Sequence, residues 1–156
     1  MTHSDGPLLR DRYESVAAED RWIGGEAPVG PQWVDRVVAG YVGRDDATTL
    51  LVYVDGTAVG WISLNRDGDA VDLGMGIIDG YRSQGIGTAM VVEALAWAEA
   101  AGAAQLRLDV FPHNERALGR YRKFGFTEVE RRVGARQRRS GERWDSLTMV
   151  LPLRTG

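Results

Sequence analysis

The sequence predicts a mixed α/β domain, a central sheet with helices on both faces. Three observations predict it. Stretches of strand periodicity alternate with stretches of helical periodicity along the 156 residues. A glycine-rich turn, residues 80–87, lies between a strand and a long helix. The chain ends on two alternating segments, 126–132 and 144–151, expected to pair antiparallel.

The elements follow in order. A first helix is expected from near Pro7, capped by Asp5 or Ser4, to about Ala18. Residues 21–30 are a loop rich in Gly and Pro, and a second helix fits 31–41. Residues 48–54 and 58–63 read as a hairpin around Asp55-Gly56, a pair suited to the positive φ angles of a tight turn. Residues 70–78 form a further strand. The glycine-rich turn opens a helix that stops near Gly102, which fits a C′ position. Residues 105–110 alternate apolar and polar as a strand, and Asn114 caps a short helix ending at Gly125.

Composition narrows the function. The chain fits one domain, 1–156, with an ordinary globular 44 % hydrophobic and 26 % charged residues. No apolar run is long enough to cross a bilayer, and the start Met1-Thr2-His3-Ser4-Asp5 lacks a signal pattern. A cytoplasmic location and no membrane partner are therefore expected. There is no cysteine, and His3 and His113 are the only histidines. No metal is expected, and transfer chemistry would fall to carboxylates, tyrosine, serine or backbone groups.

A net charge of −3 argues against nucleic acid as a partner. Residues 1–80 hold fourteen Asp/Glu and six Arg, whereas 81–156 hold eight Asp/Glu and thirteen Arg/Lys. That is either an uneven solvated surface or a two-substrate enzyme with an anionic ligand on one half and a cationic acceptor on the other.

Two stretches carry the chemistry. In Arg82-Ser83-Gln84-Gly85-Ile86-Gly87-Thr88, glycines allow close backbone approach, and the N–H groups of a helix start favour a phosphate. The stretch is neither a P-loop nor a full dinucleotide fingerprint. In Asn114-Glu115-Arg116-Ala117-Leu118-Gly119-Arg120-Tyr121-Arg122-Lys123-Phe124-Gly125-Phe126, residues Ala117, Leu118, Tyr121 and Phe124 share a helix face. Tyr121 is either plain core or an amphipathic ring with its hydroxyl in a cleft.

Together these stretches resemble the GNAT superfamily of N-acetyltransferases, over about residues 48–153. The first is similar to its Arg/Gln-x-x-Gly-x-Gly/Ala motif and the second to its Asn-x-x-Ala-x-x-x-Tyr-x-x-x-Gly-Phe pattern. The resemblance implies a mixed, mostly antiparallel sheet of six to seven strands, about four helices, and a splayed V between the fourth and fifth strands. It implies acetyl-CoA as donor and a small amine as acceptor. Ile77, Ile78 and Asp79 would offer backbone to pantetheine, with a bulge in the strand at Gly74 and Gly76. Gly85, Ile86, Gly87 and Thr88 would hold the pyrophosphate, aided by Arg82 and Gln84. Asn114 would bond the cofactor arm, and Tyr121 would protonate the leaving thiolate.

Asp72 and Asp109 are the two candidate bases. Trp22 and Glu26 in the loop 21–30, and Arg136, Arg138 and Arg139 in the hairpin 133–143, would select the acceptor. Glu26 would receive a cationic amine, and the arginines a carboxylate or phosphate. The family's usual first strand has little room ahead of Pro7: either the sheet lacks it or residues 1–6 supply a rudimentary one, and an exposed edge would need cover that a homodimer partner could provide. A protein N-terminus or lysine as acceptor, or a silent acyl-CoA-binding module, are the alternatives.

Overall fold

Ten elements follow from these local signals in a computed structural model that describes residues 5–30, 32–41 and 44–153. Helix α1 (Gly6–Ala17) starts on Pro7. Asp5 occupies its N-cap position in helical backbone and makes no side-chain cap bond. Ser4 and Pro31 lie outside the described residues. Helix α2 (Trp33–Tyr41) is followed by the hairpin of β1 (Ala47–Val54) and β2 (Thr57–Asp67). Its turn residues Asp55 and Gly56 take φ angles of 50° and 81°, as a two-residue turn requires. Strand β3 (Ala70–Ile77) leads through the glycine-rich turn into α3 (Ile86–Ala100). Then come β4 (Gln105–Val110), α4 (Glu115–Phe124), β5 (Thr127–Gln137) and β6 (Arg143–Pro152).

The six strands lie in the order β1-β2-β3-β4-β6-β5, and only β3 and β4 pair parallel. That parallel pairing is short. It joins Ala70–Leu73 to Gln105–Leu108 and then stops. Beyond it β3 stays on β2 as far as Ile77 opposite Gly60, and β4 stays on β6 as far as Val110 opposite Leu147. Each strand follows its outer neighbour, so a V opens between them. By this count the V lies between the third and fourth strands, because among the described residues no strand precedes α1.

No bulge makes the opening. The β2–β3 register runs unbroken through Gly74 and Gly76. Gly76 has another task, since the Trp61 indole lies across its Cα where a Cβ would collide. Gly60 gives the same close approach to the carbonyl oxygen of Gly76.

Strand alternation sorts side chains to two faces. Leu106 and Leu108 of β4, with Ile62, Leu64, Val71, Leu73, Leu147 and Met149, meet Met90, Val91, Ala94 and Ala98 of α3. Ala117, Leu118 and Tyr121 of α4 join this core. On the other face Leu9 and Val16 of α1 pack on Trp61, with Tyr13 and Trp33 beside them. Helices α1 and α2 cover only the β1–β3 side of that face. Arg107 and Asp109 of β4 and Thr148 of β6 remain beside an open groove. Among the described residues no helix is long and apolar enough to cross a membrane.

Gly76→Val is expected to lower stability by about 1–3 kcal/mol in urea unfolding, because Trp61 must leave its place. An unchanged midpoint would show that the ring moves freely.

Candidate active site

The cleft begins where β3 and β4 part. Three adjoining cavities follow it. The first, about 430 Å³, has Leu73, Gly74 and Met75 from β3, Asp109 and Val110 from β4, and walls from Tyr13, Trp22, Trp61, Phe111, Arg132 and Arg136. The second, about 320 Å³, has Met75, Gly76 and Ile77, with Arg82, His113, Arg116 and Arg120. Trp22, Ile23, Met75, Asn114 and Tyr121 line both. The third, about 460 Å³, lies between the glycine-rich turn (Ser83, Gly85, Thr88) and α4 (Arg116, Arg120, Lys123).

The turn is built to receive an anion. Gly85 is the N-cap of α3 at φ 83°, and a Cβ there would point into open space. The first intrahelical bond runs from Ala89 N to Gly85 O, so the N–H groups of Ile86, Gly87 and Thr88 have no acceptor within the helix. Opposite them, Arg116, Arg120 and Lys123 share a face of α4 at helical spacing. None of the three has an ion pair with a described residue. The Arg120 guanidinium rests on Gly87, where any side chain would collide with it.

Arg82 and Gln84 hold the turn; neither lines the third cavity, and Arg82 borders the second. Arg82 donates to the Ile77 carbonyl at 3.0 Å and forks onto Glu19 at 2.6 and 2.5 Å. That bond is the main reason the Glu19 carboxyl titrates below its usual range. Gln84 donates to the Gly80 carbonyl. Ile77 lies past the last β3–β4 pair, on the cleft. The N–H of Ile78 is taken by the Val59 carbonyl at 2.9 Å, and the Asp79 side chain is in solvent.

At the crossing of the first two cavities stand Asn114 and Tyr121. The Asn114 side-chain oxygen accepts from Ala117 N at 3.3 Å and caps α4, which leaves its amide donors to the cleft. The Tyr121 ring is buried against Phe126, and burial pushes its hydroxyl up to about 12, with Arg120 opposing. It is therefore a protonated donor at neutral pH.

The two candidate carboxylates part company. Asp109 lines the same cavity as Tyr121, and its side chain is 56 % exposed. Its Oδ1 accepts from Thr148 Oγ1 at 2.7 Å and lies 2.9 Å from Arg132. Asp72 is absent from that cavity's walls, and Arg107 grips it at 2.6 and 3.0 Å.

Residues 20–26 roof the cleft, and the charges expected there to read an acceptor are mostly used to fix it. Arg138 is 1 % exposed. It donates to the carbonyls of Ile23 and Gly24, pairs with Asp20, and lies 4.1 Å over the Trp144 ring. Glu26 accepts from Arg139 N at 3.1 Å and lies 3.7 Å from Arg138, so it lines neither cavity. His113 reaches the Arg21 carbonyl and stacks on Phe111, tying the β4–α4 loop to the same roof.

Sequence reasoning missed Arg116, Arg120 and Lys123, although their spacing beside Tyr121 signals a shared face. It also missed Tyr13 and Arg132. It took the hairpin arginines as free, and no local signal marks Arg138 as buried.

Among known proteins, the acetyltransferase (GNAT) family model matches residues 13–126. Similar solved structures include a GNAT-family acetyltransferase from Streptococcus pneumoniae, 22 % identical, with a TM-score of 0.85, covering 98 % of this chain and 96 % of that one. A ribosomal-protein-alanine N-acetyltransferase from Brucella melitensis is 22 % identical, with a TM-score of 0.86 and coverage of 98 % and 97 %. A phosphinothricin acetyltransferase from Sinorhizobium meliloti, solved with acetyl-CoA, is 17 % identical, with a TM-score of 0.83 and coverage of 98 % and 85 %.

Arg138→Ala is expected to lower stability by about 1.5–3 kcal/mol, the scale of charge-assisted hydrogen bonds. Amide exchange should quicken mainly in residues 20–26. Uniform acceleration across the chain would mean that Arg138 serves the fold generally and not the roof.

Proposed function

This chain belongs to the acetyltransferase (GNAT) family, and from that membership we propose that it moves an acetyl group from acetyl-CoA directly to a primary amine of a small molecule, through a ternary complex. The observation that carries the reading is the meeting of Asp109, Asn114 and Tyr121 on one cavity at the mouth of the V.

The residues present fit the donor. Glycines at 85 and 87, first-turn N–H groups without helical acceptors, and three cations with no ion pair to a described residue suit a pyrophosphate and its neighbouring phosphate. Gly85, Ile86, Gly87 and Thr88 would hold the pyrophosphate, with Arg120 displaced from Gly87 to meet it. Arg82 and Gln84 act by fixing the turn. Past Leu73, the β4-facing backbone of β3 has lost its partner strand and would hold the pantetheine arm, with Asn114 across from it.

The chemistry needs three proton and charge tasks. Asp109, directly or through a water, accepts the proton that the amine must lose. The amine nitrogen bonds to the thioester carbon and the carbonyl electrons move to oxygen; a backbone N–H of the splayed β3 segment would steady that oxyanion. The oxyanion then collapses, the C–S bond breaks, and Tyr121 gives its proton to the leaving sulfur. Asp72, held by Arg107 away from this cavity, serves the sheet surface.

A second reading, transfer to a protein N-terminus, is favoured by one observation. A groove runs on from Asp109 and Arg132 past Thr148, Glu130, Asp72 and Arg107, over sheet that no helix covers. Release of free CoA with a peptide library, against a panel of small amines, separates the two.

Calorimetric titration should give selective micromolar binding of acetyl-CoA over ATP and NAD, and equal binding of ATP would sink the proposal. Gly85→Val should weaken that binding, since a side chain at φ 83° is strained and would fill the cradle. Tyr121→Phe should lower kcat by about 10²–10⁴-fold with acetyl-CoA affinity intact. Unchanged turnover would remove its acid role. Because the Tyr121 hydroxyl titrates near about 12, its donor role is full at neutral pH and is lost only as pH rises through that value. An alkaline fall in kcat below about pH 10, absent from Tyr121→Phe, would contradict this assignment.

A further inference from the structure

The acceptor half of the cleft holds three formally charged groups: Asp109, Arg132 and Arg136. Two of them cancel, since Arg132 lies 2.9 Å from Asp109. The Arg136 side chain has no hydrogen bond or ion pair with any described residue, its backbone pairing with Trp144 in the sheet. Its guanidinium lies against Gly24, where a Cβ would collide with it, and it faces Tyr13. The neighbouring Arg138 is occupied by Asp20, Glu26 and two roof carbonyls, so it does not compete for a ligand. Glu26 and Asp20 are both taken up by that same network. The cavity thus carries one uncompensated positive charge amid aromatic walls of Tyr13, Trp22, Trp61 and Phe111.

This balance disfavours an acceptor that is only cationic. Its ammonium would meet a carboxylate already shared with Arg132, and any second ammonium would face Arg136. An anion at Arg136 removes the second difficulty and balances the charge that the Asp109–Arg132 pair leaves over. The strands also separate the two tasks. Asp109 stands opposite Thr148 on β6, whereas Arg136 stands opposite Trp144, four residues further along. That is about 13 Å of strand, so the acid and the amine of one ligand can occupy different ends of the cavity.

We propose that the acceptor is a zwitterion: a small primary amine with an apolar body and a carboxylate or similar acid, its acid received by Arg136 and its amine directed to Asp109. Tyr13 flanks the same site. Burial raises its hydroxyl, with Arg136 and Arg138 opposing, so it remains a neutral donor beside the acid. This assignment rests on the acetyltransferase reading above.

The test compares acids with matched partners that lack the acid. Methionine and tyrosine are run against methioninamide, tyramine and spermidine, with wild type and Arg136→Gln. In parallel, calorimetry measures binding of N-acetylmethionine and N-acetylmethioninamide in the presence of CoA. We expect kcat/KM for the acids to exceed that of the amides at least tenfold, and N-acetylmethionine to bind at least tenfold more tightly than its amide. Arg136→Gln should erase both preferences while acetyl-CoA affinity stays at the wild-type value. Equal use of amides, better use of spermidine, an undiminished preference in Arg136→Gln, or neither turnover nor product binding would each overturn the zwitterion assignment. Failure of wild type to bind acetyl-CoA would instead overturn the acetyltransferase reading beneath it.

Discussion

The early end of β3–β4 pairing governs this molecule. After Leu73 and Leu108 each strand stays with its outer neighbour and abandons the other. A sheet normally satisfies its central backbone internally. Here the unsatisfied edges line a cleft, a place where a foreign chain of atoms can take the role of a strand. The deep core on the α3 side makes this tolerable, because Leu64, Val71, Leu106 and Met149 are fully enclosed and fix both strands from behind. The opening is stable because the layer beneath it is closed.

Electrostatics divides the cleft lengthwise. One end has helix-start N–H groups and the cations of α4. The other has the Asp109–Arg132 pair and Arg136. Tyr121 and Asn114 stand between them, each tied to structure through one atom and open to the cleft through another. Asn114 caps α4 with its oxygen, and Tyr121 belongs to the core while also lining both cavities. Residues that both hold the fold and line the cleft are placed at little extra conformational cost, since their order is already set by folding.

Much of this was legible in the sequence, where the signals are local. The Asp55-Gly56 turn, the Gly102 stop, the Asn114 cap and the Gly-x-Gly helix start are short-range chemistry, and the elements fall where they predict. The α4 motif likewise located the centre of the cleft. Signals carried by distant partners were not legible. Gly74 and Gly76 suggested a bulge, whereas Gly76 clears room for an indole from the neighbouring strand. Asp72 and Asp109 are equivalent in pattern, and only Arg107 against one and Tyr121 near the other distinguish them. Glu26 and Arg138 look like free surface charges until residues more than a hundred positions apart are brought together.

The cleft's two ends come from separate stretches of chain. Residues 83–88 and 115–124 line the third cavity, while 13–24 and 132–146 supply the outer walls of the first. Arg138 and His113 anchor the roof over the first cavity at a few points. The two ends are coupled at one point: Glu19, in the first of these outer stretches, is the partner of Arg82 beside the glycine-rich turn, so replacing that stretch would also loosen the turn.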